Sequence, residues 1–307
     1  FTNSDIVDVS EFLGGKLLRN IIGILYIGYF TIISSTLLRN FCEILRIVYF
    51  PKIPIYFLVI AFLLVAVIAN HFGSNTIVKA NLIIVPLVMI NLLIAFFCIA
   101  ARFVPEKIFP ILGYGFNETF ISGATNIFAF TGISYIYFLL PMLKESKNFK
   151  SISFIGIGIS TLYVFLSVIS LLFSFSDVLS INEISPIYFL VRSADFGRFL
   201  QRPDAIFFLG WILCLMSYLS ISILFITKIF KKIGNLKDRK PIVYISAVLI
   251  FIIALLPKGM VEIRFIQNIV FKYSTIVLVF VVSFIILILA NLKYKKTHKL
   301  PNKEGDL

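Results

Sequence analysis

Hydrophobic and polar positions in this chain segregate into blocks instead of alternating. Eight runs contain no Asp, Glu, Lys or Arg for at least 17 residues: 20–38, 53–78, 80–101, 119–143, 151–176, 205–227, 241–257 and 273–292. The next longest such run, 108–117, has only ten residues. A helix needs about 20 apolar residues to cross the roughly 30 Å hydrocarbon core of a bilayer. Backbone groups in lipid must be satisfied within their own segment, so continuous apolar runs predict helices. Barrel strands alternate apolar and polar and are only about 9–11 residues long, which excludes a barrel. The pattern therefore predicts an all-α integral membrane protein. It forms one transmembrane domain over 1–307, with spans at about 17–38, 53–78, 80–103, 119–143, 151–176, 205–227, 241–257 and 273–292.

Composition supports the pattern: 60% of residues are hydrophobic, 14% are charged, and the mean hydropathy is +1.02. A soluble domain carries about 25% charged residues. The net charge of +13 reads as membrane topology and not as a nucleic-acid surface, because the basic residues crowd short connectors such as Lys228, Lys231, Lys232, Lys237, Arg239 and Lys240. Cys42, Cys98 and Cys214 stand singly in or beside apolar stretches, and the two histidines are His71 and His298. Neither a metal site nor a disulfide framework is expected, and no cofactor is implied. The chain begins with Phe1, and 1–16 carries Asp5, Asp8 and Glu11 without a basic signal-peptide region, so the native start is expected upstream.

Alternate connectors differ in Lys and Arg. The N-terminal segment, the 2–3, 4–5 and 6–7 connectors and the C-terminal tail hold 17, against 11 in 39–52, 102–107, 192–202 and 258–272. The positive-inside rule then places both chain ends in the cytoplasm. The longest connector, 177–204, lies outside. Its stretch Ile187-Tyr188-Phe189-Leu190-Val191-Arg192 suits either a short helix on the outer surface or a solvated loop.

Every one of the 43 charged residues is expected in a connector, a tail or a helix end, with Glu43, Glu118 and Asp204 the nearest approaches to a span. An intramembrane charge would be the default functional pointer. Its absence from the run interiors weighs against ion coupling and leaves neutral groups as candidates. These are Tyr26, Tyr29, Thr31, Ser34 and Ser35 in the first run, Asn81 and Asn91 in the third, and Ser217, Tyr218, Ser220 and Ser222 in the sixth. Such groups either join helices or line a pocket for a small polar ligand. The 119–143 run differs in kind. Its middle, Asn126 to Ser134, mixes small and hydroxyl residues, and Gly123, Gly132 and Pro141 interrupt it. It either packs closely against a neighbour or unwinds to present backbone groups to a ligand. No nucleophile–base pair, metal cluster or phosphate loop is evident, so no enzyme is expected.

Three stretches carry a family resemblance: Glu11-Phe12-Leu13-Gly14-Gly15-Lys16 leading into Gly23-Ile24-Leu25-Tyr26; Phe128 to Phe130 followed by Phe138-Leu139-Leu140-Pro141; and Arg192 through Asp195-Phe196, then Arg202, Asp204-Ala205 and Trp211. In their order and spacing the chain resembles the endospore germination permeases, the B subunits of nutrient germinant receptors, within the amino acid–polyamine–organocation superfamily. The resemblance implies an inverted-repeat, transporter-like helical bundle of ten spans, with the eight runs here at spans three to ten and the first two spans absent. It also implies a receptor subunit in the spore inner membrane. That subunit would bind a small germinant such as an amino acid, contact membrane lipid but no nucleic acid, and act with an A subunit and a lipoprotein C subunit. An amino-acid permease of the same superfamily is the alternative. Broken helices supply the ligand site of this fold. The 119–143 run is the family's broken sixth helix, which with the polar positions above makes Phe128, Thr131, Gly132, Ser134, Tyr26, Tyr29, Ser217 and Ser220 the ligand-binding candidates. Relatives commonly carry a Glu near Gly132–Ser134, whereas this chain has no acid between Glu118 and Glu145. A charge-dependent step there is not expected: either the ligand differs, or Ser134 hydrogen-bonds where a carboxylate would otherwise sit.

Overall fold

The computed structural model describes residues 4–100, 103–109, 115–123, 130–143, 148–174, 185–193 and 203–298. Among these, every regular element is helical. In chain order they include α1 (Ile6–Val48), α2 (Ile55–Phe72), α3 (Ser74–Ala100), α4 (Ile133–Leu139), α5 (Phe149–Ser174), α6 (Pro186–Ser193), α7 (Pro203–Gly234), α8 (Lys240–Leu255), α9 (Met260–Ile266) and α10 (Ser283–His298). Between α9 and α10 the chain stays helical but widens into π-helical turns at Gln267–Phe271 and Thr275–Val282. Six helical stretches, in α1, α2, α3, α5, α7 and Met260–Lys296, are long and apolar enough to cross a membrane. Runs 119–143 and 241–257 contribute the shorter apolar helices Ile133–Met142 and Lys240–Leu255.

The start of α1 is set by its polar residues. Asp5 caps it by accepting from the N–H groups of Val7 and Asp8, both at 3.0 Å, while the Asp8 carboxylate accepts from the Asp5 N–H. Helical geometry is interrupted at Gly14 and Gly15. Gly15 has φ 69°, which a residue with a Cβ adopts only with strain. Lys232, near the end of α7, holds the short leading segment by ion pairs to Asp5 at 2.5 Å and Asp8 at 2.7 Å. Lys293 of α10 donates to the Phe12 carbonyl at 2.7 Å. The N- and C-terminal segments therefore meet at one end of the bundle.

Beyond the break, Lys16–Val48 is one helix about 50 Å long. This corrects the expected connector at 39–52, most of which is helix. It also corrects the placement of every charge at helix ends, connectors or tails. Arg39 and Glu43 are both buried in α1 and pair at 2.9 Å, and Arg46 closes on the other Glu43 oxygen, also at 2.9 Å. A charge inside a helix looks like a terminus when the sequence is read in one dimension. Here the i, i+4 and i, i+3 spacings put the partners on one face and neutralise them. A second correction concerns Lys79, which lies inside α3 and not in a connector. The turn between α2 and α3 comes earlier, at Gly73, where φ is 115°.

At the centre, α7 packs on α1, α2, α3 and α8, while α1 also meets α8 and α10. Asn81 and Asn91 tie α3 to α7: Asn81 accepts from the Ser217 hydroxyl, and Asn91 donates to the Ile206 carbonyl at 2.6 Å. In run 119–143 the described residues form a π-helical turn at Asn117–Ser122 and α4, which ends at the Leu140–Met142 turn with Pro141. In the long connector, α6 buries Tyr188, Leu190 and Val191, which resolves this stretch as a docked helix and not a solvated loop.

Candidate functional site

Four elements bring hydroxyl-bearing side chains together in the core. Spacing along α1 places Tyr26, Tyr29 and Phe30 on one face. The short α4 supplies Ser134, Tyr135, Tyr137 and Phe138, and α7 supplies Tyr218, Ser222 and Phe225 one and two turns apart. The π-helical stretch before α10, with the first residue of α10, supplies Thr275, Val279 and Ser283.

Each tyrosine reaches across an interface. Tyr26 bonds the Ser283 hydroxyl, which itself donates to the Leu278 carbonyl at 2.8 Å. Tyr29 pairs with Thr275 at 3.2 Å, and Tyr137 donates to the Val279 carbonyl at 3.0 Å. The Tyr135 hydroxyl lies 2.6 Å from the Ser222 hydroxyl, and Ser222 donates to the Tyr218 carbonyl. Phe30 and Tyr135 stack with centroids 5.1 Å apart, and Tyr26 meets Phe138 edge-on at 4.9 Å. The geometry offers hydroxyls, aromatic faces and backbone carbonyls. Ser34, fully buried with no hydrogen-bond partner for its Oγ among the described residues, faces the Tyr218 hydroxyl.

Three of the candidates from the sequence meet here: Tyr26, Tyr29 and Ser134, whose hydroxyl donates to the Thr131 carbonyl at 2.6 Å and faces Tyr29. Thr131 thus takes part through its backbone. Gly132 is exposed and lines a cavity of about 340 Å³ between α4 and α5, with Ser153, Gly156 and Ser160. Ser217 and Ser220 lie away from the cluster: Ser217 bonds Asn81, and Ser220 donates to its own helix at Met216. Positions 218, 222 and 225 share one face of α7, and 217 and 220 fall on others. Phe128 lies outside the described residues.

A family model described as spore germination protein matches residues 1–263. The chain belongs to the spore germination protein family. It is 22% identical over 256 residues to the spore germination protein GerQB of Bacillus cereus, covering 83% of this chain and 69% of the relative. To YndE of Bacillus subtilis (strain 168) it is 23% identical over 245 residues, or 78% of this chain and 68% of the relative. Spore germination protein B2 of the same strain is 22% identical over 275 residues, which covers 87% of this chain and 72% of the relative. With its long apolar helices, this member of the spore germination family is a multi-pass membrane protein.

Sequence reasoning missed Tyr135, Tyr137, Thr275 and Ser283 as members of the cluster. The signal for the last two was present: Thr275 and Ser283 are the hydroxyls that bracket an otherwise apolar stretch. Phe225 joins the ring cluster and also lines a cavity of about 440 Å³ bounded by Asn81, Pro86 and Met142. In this germination protein α4 is therefore flanked by open volume on two sides, as Leu139 borders both cavities.

Proposed function

We propose that this chain is the membrane subunit of a spore germinant receptor, in which the tyrosine–hydroxyl cluster binds a small nutrient such as an amino acid. The observation that carries the reading is the buried hydroxyl network joining α1, α4, α7 and the π-helical stretch. A zwitterion inserted among these hydroxyls would exchange internal hydrogen bonds for bonds to its carboxylate and ammonium. Binding shifts the resting and active states only by the difference in affinity between them. The cluster suits this, because its bonds cross helix boundaries and change when helices move.

In this proposal the eight runs are spans three to ten of an inverted-repeat bundle, and both chain ends are cytoplasmic. The subunit sits in the spore inner membrane with an A subunit and a lipoprotein C subunit. It senses and does not catalyse. The test is the nutrient response of spores carrying full-length Thr131→Leu or Ser134→Leu at equal membrane levels. Loss of response in both supports the pocket, and survival of response in both refutes it. Saturable accumulation of labelled amino acid in vesicles would assign the protein to transport instead.

A further inference from the structure

Arg192 and Asp204, from the third sequence stretch that marks this chain, take no part in the central cluster. They lie at the end of the bundle opposite the chain termini, where α6 packs against α7 and borders the end of α1. The carboxylate of Asp204 is buried there and accepts from Tyr188 at 3.2 Å and from Tyr49 at 3.3 Å. Burial pushes both phenols above their ordinary range, so they remain protonated donors. Beside Tyr188 is a niche of about 200 Å³, walled on one side by Ile44, Ile47 and Val48 and rimmed by Ser185 and Arg192.

Arg192 is the charged side chain among the residues that line the niche. Glu43 is taken by Arg39 and Arg46, and Asp204 by the two tyrosines. Among the described residues, Arg192 has no carboxylate partner. A guanidinium presents a planar fork that matches a carboxylate in two parallel bonds. The apolar wall faces the same volume, and Ile47 remains half-exposed in it. We propose that this niche docks a small solute carrying a carboxylate and a short branched apolar tail, with Arg192 holding the carboxylate and the Ile44–Ile47–Val48 wall holding the tail. The site is separate from the tyrosine cluster and does not depend on that cluster binding anything. If the chain is oriented as proposed, the niche faces outward, where a solute arrives first.

The experiment uses full-length protein in lipid nanodiscs, with isovalerate as the probe and saturation-transfer NMR of its methyl groups as the readout. Wild type should give a saturable signal that 3-methylbutanol, with the same skeleton but no carboxylate, does not displace. Arg192→Gln should weaken binding at least about tenfold, with Arg192→Lys falling between. Val48→Trp should block the niche, and Ser134→Leu in the central cluster should leave the signal unchanged. Absence of a wild-type signal in lipid overturns the proposal, as does a signal present only in detergent, where no headgroup competes for the guanidinium. Equal binding by Arg192→Gln, or loss through Ser134→Leu with Arg192→Gln unaffected, also overturns it. A proposal about the tyrosine cluster fails by other variants, so the two failures are distinguishable.

Discussion

The hydroxyl of Tyr135 on α4 lies 2.6 Å from the hydroxyl of Ser222 on α7. It is a direct side-chain bond between the short α4 and the central helix of the bundle. Because Ser222 already donates to the Tyr218 carbonyl, Tyr135 is the donor in this pair. Tyr135→Phe removes the donor but leaves Ser222 with its backbone bond and keeps the ring stack on Phe30. The expected loss is about 0.6 kcal/mol, the usual worth of such bonds in a membrane bundle. A double-mutant cycle with Ser222→Ala, read by thermal unfolding in detergent, should give a coupling of that order. A coupling near zero would show that the bond does not hold α4.

The buried Arg39–Glu43 pair, closed by the partly exposed Arg46, predicts an asymmetry. Arg39→Ala leaves Glu43 paired to Arg46. Glu43→Ala leaves Arg39 buried, with the Ala254 carbonyl at 3.3 Å as its remaining partner. An uncompensated buried charge costs about 3–5 kcal/mol. Glu43→Ala should therefore destabilise far more than Arg39→Ala, and the double change to Leu at both positions should recover most of the loss. Thermal midpoints of the four proteins decide this, and equal losses from the two single changes would contradict it.

At the other end of α1, burial raises the Asp5 carboxyl above its ordinary value of 3.8, while Lys232 pulls it back. A raised value means the folded protein disfavours the ionised form. The Asp5 contribution is complete at low pH and is lost as pH rises through the raised value. Asp5→Asn, which keeps the cap and resembles the protonated acid, should leave the leading segment docked. Lys232→Ala strips the cation from both Asp5 and Asp8 and should release it. Hydrogen exchange of residues 6–13 should rise in Lys232→Ala and change little in Asp5→Asn. The reverse order would show that the Asp5 charge is essential.

Gly73 closes the turn between α2 and α3 with φ 115°, and a Cβ there would sit 3.3 Å from an Arg239 nitrogen. Arg239 also donates to the Asn70 carbonyl at 2.7 Å. Gly73→Ala combines backbone strain with displacement of that guanidinium and should cost on the order of 1–3 kcal/mol. Gly132→Ala, with open space around its Cβ position and no positive φ, should be close to neutral. Unfolding midpoints of the two variants test the contrast.

The membrane helices were legible in the sequence because charge-free length is a local property. Residues 80–100 lie within α3 and run 205–227 lies within α7, whereas runs 119–143 and 241–257 contribute shorter apolar helices among the described residues. Helix ends were less legible: Arg39, Glu43 and Lys79 read as connectors and are helical. Tyr26, Tyr29 and Ser134, polar groups that stand out at depth, meet in the hydroxyl cluster, whereas Ser217 bonds Asn81 of α3 and Ser220 bonds its own helix.

By itself, the sequence determined that this is a membrane bundle and roughly where each helix runs. Only the tertiary structure decided which face each helix turns inward. In lipid the outward face is as apolar as the inward one, so these helices lack the amphipathic stripe that orients a soluble helix. Tyr218 and Ser217 are adjacent in the chain, yet one faces the tyrosine cluster and the other faces α3. The tertiary structure also decided that Glu43 and Arg39 are buried, although their pairing follows from helical spacing along α1.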